Sequence, residues 1–364
     1  MKKLIVPLAW IGFIFISVFY GRTVWDTYIE GKSSAAYLPG AAQTEPEPHA
    51  SPVSVASDVA DLEAKLKVQA QRISQLEQME NISKDVSRKA ARSVGLIIGE
   101  YIWTDATGHR PLRYDGVDAG GNPLHDNDGH ELVTFNGDGP IVVREFQGTG
   151  FLVHPRYLLT SNFLLSPWIA DPLLDQSDNP ERFPSIRAMH VYFPGSEDPI
   201  DLKIDHADEP GEAVLCILEH EADAQKNPVI SLATAAEDGD PAVLLAYPGG
   251  VELLVARVPK TELADLYKYG SPSMDETAQW LAKNRLIEPI TMQSRIVGHN
   301  ADRIFFDAAN SNGSTGGPLL NAKGQVLAVH LAMHNNYPAF NMATAITPLS
   351  AWINQTLAQP GRRF

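Results

Sequence analysis

The residues best suited to chemistry lie in one stretch, Asp307-Ala-Ala-Asn-Ser-Asn-Gly313-Ser314-Thr315-Gly316-Gly317-Pro318-Leu319-Leu320-Asn321, followed by the strand-like run Gly324 to Val329. A glycine-rich turn between two strands lets successive main-chain N–H groups converge on one point, which stabilises negative charge developing on an oxygen. Thr315 brings a hydroxyl to the same turn. A hydroxyl near its free pKa attacks poorly unless a neighbouring base removes its proton. His154, His330 and His334 are the histidines to weigh as that base, although a strand-end histidine is ordinarily structural. Ser314 sits next to Thr315, but a one-residue shift in such a turn aims its side chain elsewhere.

A second cluster, His125, Asp126, Asp128, His130 and Glu131, has the residue types of a metal site. Its spacing matches neither a calcium loop nor a zinc helix. Acids at a tight turn are there mostly because Asp and Asn tolerate turn geometry. The reading is therefore no metal and no cofactor.

The elements that must position the Thr315 turn are short β-type runs between residues 95 and 352: VGLIIGEYIW, GTGFLV, YLLTSNFLL, MHVYFP, AVLCIL, AVLLAYP, RIFFDAA and QVLAVHLA. Turn signals recur about every ten residues, the signature of an all-β sandwich or barrel. Asp115-Gly116, Asp128-Gly129 and Asp138-Gly139 predict a hairpin meander across 105–140. Helical inserts are expected at 259–268 and 274–286.

The Thr315 segment resembles the nucleophile loop of trypsin-like serine peptidases, Gly-x-Ser-Gly-Gly-Pro-Leu. Gly148-Thr149-Gly150-Phe151-Leu152-Val153, then Tyr157-Leu158-Leu159-Thr160-Ser161-Asn162-Phe163, resembles that family's Gly-Thr-Gly-Phe-Leu-Val strand and Leu-Thr-x-x-His loop. Ala246-Tyr247-Pro248-Gly249-Gly250 also falls in the expected order. The resemblance covers about 92–355 and is strongest to disulfide-free bacterial members. It implies two six-stranded β-barrels, about 95–223 and 225–352, within a peptidase domain of 95–355 and a tail of 356–364. It also implies that no peptide-binding module of the kind found on membrane-anchored stress proteases follows residue 355.

The same alignment places the family's nucleophile on Thr315, its base on Phe163 and its orienting acid, just before Ala213-Val214-Leu215, on Gly211 or Glu212. All three triad positions depart from the pattern. Losing one triad member costs on the order of 10⁴ to 10⁶ in turnover. Phenylalanine cannot accept a proton, and threonine's extra methyl restricts χ1 and crowds attack. The expectation is a pseudopeptidase. What the resemblance leaves in place is binding: an oxyanion-hole-like nest at Gly313 and Thr315, a pocket floor at Ala309, and main chain around Val329, His330 and Leu331 that takes an extended peptide. Alternatives are a cleft simply filled by Phe163, or an unconventional hydrolase using Thr315 or a displaced base.

Ahead of this domain, Met1-Lys2-Lys3 precedes an uninterrupted apolar run, residues 4–21, of about 18 residues, the lower limit for a bilayer span. Bulky residues follow it and no small-x-small cleavage site does, so residues 1–24 read as an uncleaved signal anchor. The two lysines favour a cytoplasmic N-terminus. A cleaved signal peptide or a buried core helix are the other readings. The expectation is a single-pass protein of a bacterial inner membrane with its main domain periplasmic. Residues 25–56, rich in Ala, Pro, Ser and Glu, read as a disordered linker. In the helical stretch 57–94, Val59, Leu62, Leu66, Gln69, Ile73 and Leu76 follow a coiled-coil spacing. Residues 59–76 thus suggest a homo-oligomeric stalk, or a helix packed on its own domain or a partner.

Composition narrows the classes further. The 364 residues carry 29 basic and 44 acidic side chains, a formal net charge of −15, which disfavours nucleic-acid binding. The lone Cys216 excludes an internal disulfide and a thiolate zinc cage. The partner implied is a peptide or protein.

Overall fold

The computed structural model describes residues 52–175, 182–208, 212–309, 313–333 and 340–358. The apolar run 4–21 and most of the expected linker lie outside them. Among the described residues no helix is long and apolar enough to cross a membrane.

The first described element is a 39-residue helix, α1 (Pro52–Ala90). Its apolar positions Val59, Leu62, Leu66, Ile73 and Leu76 are exposed, whereas Val86 and Ala90 in its last turns are buried. The unit that carries the site begins at Val68.

Strands then follow in chain order: β1 (Val94–Thr104), β2 (Arg113–Tyr114), β3 (Val133–Thr134), β4 (Val143–His154) and β5 (Tyr157–Ser161). A short α2 (Pro172–Asp175) precedes β6 (Phe183–Tyr192), β7 (Ile200–Ala207) and β8 (Ala213–Leu218). These build the first closed barrel, in the order β1-β4-β5-β8-β7-β6, with β2 and β3 forming a separate two-stranded sheet. The second half holds β9 (Pro241–Ala246), α3 (Gly250–Ala256), α4 (Met274–Lys283), β10 (Ile290–His299), β11 (Arg303–Phe306), β12 (Pro318–Asn321), β13 (Val326–Met333), β14 (Asn341–Ala345) and α5 (Ile346–Leu357). Its six strands close as β10-β11-β14-β13-β12-β9. The all-β architecture with two closed six-stranded barrels is thus the one expected from the sequence. Closure gives each barrel strand a neighbour on both sides, while the two-stranded β2–β3 sheet stays open.

Three apolar clusters hold this together. One fills the first barrel (Ile97, Trp103, Leu152, Leu158, Val191) and another the second (Leu244, Ile304, Phe306, Leu319). The third lies between them and gathers Val86, Leu96, Phe151, Leu215, Leu245, Val329 and Ile346, so the end of α1 and the two barrels share one core. Every residue of β8 is buried, including Cys216.

The inserts differ from expectation in one place. Met274–Lys283 is helical, started by a capping box in which Ser273 and Glu276 each satisfy the other's main-chain N–H. Residues 259–268 are a run of turns instead. Their bonds, such as Glu262 N–H to Pro259 O at 2.9 Å and Tyr267 N–H to Leu263 O at 3.3 Å, do not propagate into a ladder. The helical turns form just before, at α3.

Between β1 and β4, the carboxylates of Asp105, Asp118 and Asp126 each accept main-chain N–H groups two and four residues on. These side chains close the tight turns of the 105–140 segment.

Candidate functional site

Thr149, fully buried on β4, organises the seam between the barrels. Its Oγ1 donates to Gly313 O (2.7 Å) and accepts from Tyr247 N–H (3.0 Å). Its N–H donates to Thr315 O (2.9 Å), and its carbonyl accepts from Thr160 Oγ1 (2.7 Å). One residue, through its side chain and its main chain, thereby fixes the Thr315 turn, the Tyr247 turn and β5 together. Two glycines of the turn are obligatory. Gly313 has φ +97° and a Cβ there would lie 2.3 Å from Tyr247 O; Gly316 has φ +86° and its Cβ would lie 2.1 Å from Thr149 O.

The turn is open to an anion. Gly316 N–H donates to His330 O (2.8 Å) and Gly317 N–H to Ser314 O (3.0 Å). The N–H groups of Gly313 and Thr315 donate to no described residue. Thr315 is half-buried, whereas Ser314 is fully buried, which takes Ser314 away from any substrate.

Phe163, just past β5, is 53% exposed, so it stands at the surface rather than filling a cleft. Its N–H donates to Ser161 Oγ at 3.2 Å. The adjacent Asn162 N–H donates to Glu212 O at 2.8 Å, so the Phe163 loop and the start of β8 lie side by side. Gly211 lies outside the described residues. The Glu212 carboxylate is engaged elsewhere: it pairs with Arg303 and accepts from Thr344 Oγ1 at 2.9 Å, both on the second barrel.

Of the histidines weighed from the sequence, His154 and His330 are described, and each is engaged elsewhere. His330 is fully buried, its Nδ1 is 3.1 Å from Ser314 O, and its ring meets Phe306 edge-on at 5.7 Å. Burial pushes its pKa down to about 4. His154 Nδ1 accepts from Arg156 N–H at 3.1 Å and the ring packs on Tyr157. His334 lies outside the described residues.

The groove residues are distributed unevenly. Ala309 is exposed, while its neighbour Ala308 is buried and its carbonyl accepts from Asn341 Nδ2. Val329, His330 and Leu331 have buried side chains. Val329 is paired on both sides, with Pro318 of β12 and Thr344 of β14. Among the described residues Ala332 and Met333 pair with Met342 and Asn341 of β14. Thr149, Arg303 and Asn341 were not singled out by the sequence. Only Thr149 carried a signal, a lone hydroxyl between two glycines.

Among the described residues no group of three or more His, Cys, Asp or Glu side chains is placed to hold a metal. In the 125–131 cluster, Asp126 accepts the N–H groups of Asp128 and His130, each at 2.9 Å, and these bonds lower its pKa.

Among curated proteins none matches the chain. Solved structures similar to it include the Rv3671c protease of M. tuberculosis in its active form, 14% identical over 76% of this chain and 87% of that one, with a TM-score of 0.44. The serine endoprotease of Yersinia pestis is 14% identical over 77% and 68%, with a TM-score of 0.42. The HtrA-type protease AlgW with a decapeptide is 14% identical over 77% and 69%, with a TM-score of 0.44. Residues 148–329 match the family model of the trypsin-like peptidase domain, a span of half the chain that takes in the second half of β4, the Phe163 loop and the Thr315 turn. This chain belongs to the trypsin-like peptidase family.

Proposed function

We propose that this chain is a pseudopeptidase that binds extended peptide or protein segments without cleaving them. The observation that carries the reading is an exposed phenylalanine, Phe163, where a base would stand, beside a turn whose Gly313 and Thr315 N–H groups have no partner within the described residues. Such a turn accepts a carbonyl or carboxylate oxygen with or without chemistry. At Ala332 and Met333 the described pairings of β13 are with β14, which supports strand addition on its other side. The engagement of the Glu212 carboxylate by Arg303 and Thr344 supports the same reading.

The apolar run 4–21 supports tethering to a bacterial inner membrane with the barrels periplasmic. The exposed seam of α1 supports self-association through residues 59–76. A monomer at all concentrations in sedimentation of the chain would refute that part.

The deciding experiment exposes the chain to a fluorophosphonate probe and a degradable protein, with Phe163→His/Thr315→Ser alongside. Silence from the native chain supports the pseudopeptidase. Labelling of Thr315, or cleavage abolished by Thr315→Ala, establishes instead an unconventional hydrolase with Thr315 as nucleophile.

A further inference from the structure

Away from the Thr315 turn, an open cleft of about 1120 Å³ lies where the end of α1 meets both barrels. It is walled by Lys89 and Arg92 from that end, Glu197 and Asp198 from the β6–β7 turn, Lys226 from the crossing between the barrels, and Arg285 and Glu288 from the lead into β10. The main chain of these walls is fixed. Arg92 O accepts from Asn227 Nδ2 at 2.6 Å, Ser93 Oγ donates to Pro228 O, and Ser196 N–H donates to Phe193 O at 3.1 Å. A ligand therefore meets walls already in place, which lowers the cost of binding.

The charges of the cleft run against those of the chain. Five cationic and three acidic side chains line it, a local excess of two positive charges where the whole chain carries a formal −15. Lys89 and Arg92 are exposed and make no ion pair with a described residue. Arg285 is the sharper sign. It closes α4 in the left-handed region, at φ +58°, its own N–H donating to Ala282 O (2.9 Å) and that of Leu286 to Leu281 O (2.8 Å). Glycine ordinarily fills such a position, and among the described residues Arg285 alone is a non-glycine at positive φ. Strained residues of this kind cluster at ligand clamps and switch regions. The Arg285 guanidinium lies 3.6 Å from Glu197 Oε1, with both side chains more than half exposed, a loose pair that a better-placed carboxylate displaces.

We infer that this cleft binds an acidic, extended segment of a partner protein, with Arg92 and Arg285 each taking a carboxylate side chain. A guanidinium fork holds a carboxylate through two parallel bonds. The three acidic residues on the walls, together with the charge of the chain, oppose a polyphosphate or a nucleic acid, whereas a peptide sets its uncharged or basic residues against them. The inference does not rest on the catalytic status of Thr315.

The test is fluorescence-anisotropy titration of the full chain, at low salt, with a labelled Gly-Ala-Glu-Pro-Ala-Glu-Ala-Glu-Gly-NH2 and its glutamine counterpart. The acidic peptide is expected to bind saturably and at least ~tenfold more tightly, an advantage that fades as salt is added. Arg285→Gly separates a binding role from a structural one. Glycine suits the left-handed position, so the thermal midpoint should hold or rise while the affinity falls about fivefold. Arg92→Gln should weaken binding by a similar factor at an unchanged midpoint, and it decides if the first variant fails to fold. No saturable binding, equal affinity for the two peptides, or unchanged affinity in the folded variants overturns the inference. Two further outcomes overturn it as well: pyrophosphate competing at concentrations as low as the acidic peptide itself, which makes this a site for a small phosphate ligand, or affinity that falls as the protein is concentrated, which places a second copy in the cleft.

Discussion

Thr149 and Thr315 are joined across the barrel seam by a main-chain hydrogen bond of 2.9 Å, N–H to carbonyl. The bond points the Thr315 carbonyl into the first barrel, and the neighbouring bond from Thr149 Oγ1 does the same for Gly313. The conformation of the turn is therefore set by a residue on the opposite barrel, whatever side chain occupies the nucleophile position.

Thr149→Val keeps the shape and removes the hydroxyl, leaving Gly313 O and Tyr247 N–H without their partner. The expected cost is about 1–3 kcal/mol, the penalty for unsatisfied buried polar groups. Urea unfolding of Thr149→Val beside Thr149→Ser measures it, and the serine variant should lie closer to the native chain.

Phe163→Ala should leave stability within about 0.5 kcal/mol of native, because the side chain is more than half exposed. A thermal scan checks this. A loss several times larger would mean that the ring is packed as part of the core.

Gly316→Ala should be severe. Its φ of +86° disfavours any side chain, and the new Cβ would fall 2.1 Å from both Thr149 O and Thr160 Oγ1. A loss above ~3 kcal/mol is expected from combined strain and overpacking. Proteolytic susceptibility of the purified variant gives the readout.

His330 makes stability depend on pH. Unfolded, its imidazole takes up a proton near pH 6.5; folded, burial delays this until about pH 4. Between those values the unfolded state binds more protons, so the contribution is full above pH 6.5 and is lost as pH falls toward 4. The whole span amounts to about 3 kcal/mol. Urea midpoints at pH 7 and 4.5 should separate in the native chain and converge in His330→Gln.

Glu212 and Arg303 link the barrels through side chains that are 18% and 23% exposed. Arg303→Met strands a mostly buried carboxylate and should destabilise by about 3 kcal/mol, whereas the double variant with Glu212→Gln should recover part of that loss. A double-mutant cycle in urea reads the coupling directly.

How much of this could be read from residue order varies with distance along the chain. Gly313 to Pro318 declares its own turn, because glycines at positive φ are local requirements, and the alternating strand runs declare barrels. The assignment of Phe163 to a base position comes from the family resemblance alone. The bonds of Thr149 to a carbonyl 164 positions away, or of Glu212 to an arginine 91 positions away, follow from barrel packing and leave no local trace. Residues 259–268 show the converse: a helix was expected there and a run of turns forms instead.

The one thiol of the chain offers a last consequence. Cys216 is completely enclosed within the first barrel, and burial pushes its pKa up to about 12. Any oligomer of the folded chain is therefore held without a covalent cross-link, in oxidising and reducing surroundings alike. The same enclosure turns the thiol into a clock: an alkylating reagent can mark it only when β8 comes away from its neighbours, so the labelling rate counts openings of that barrel.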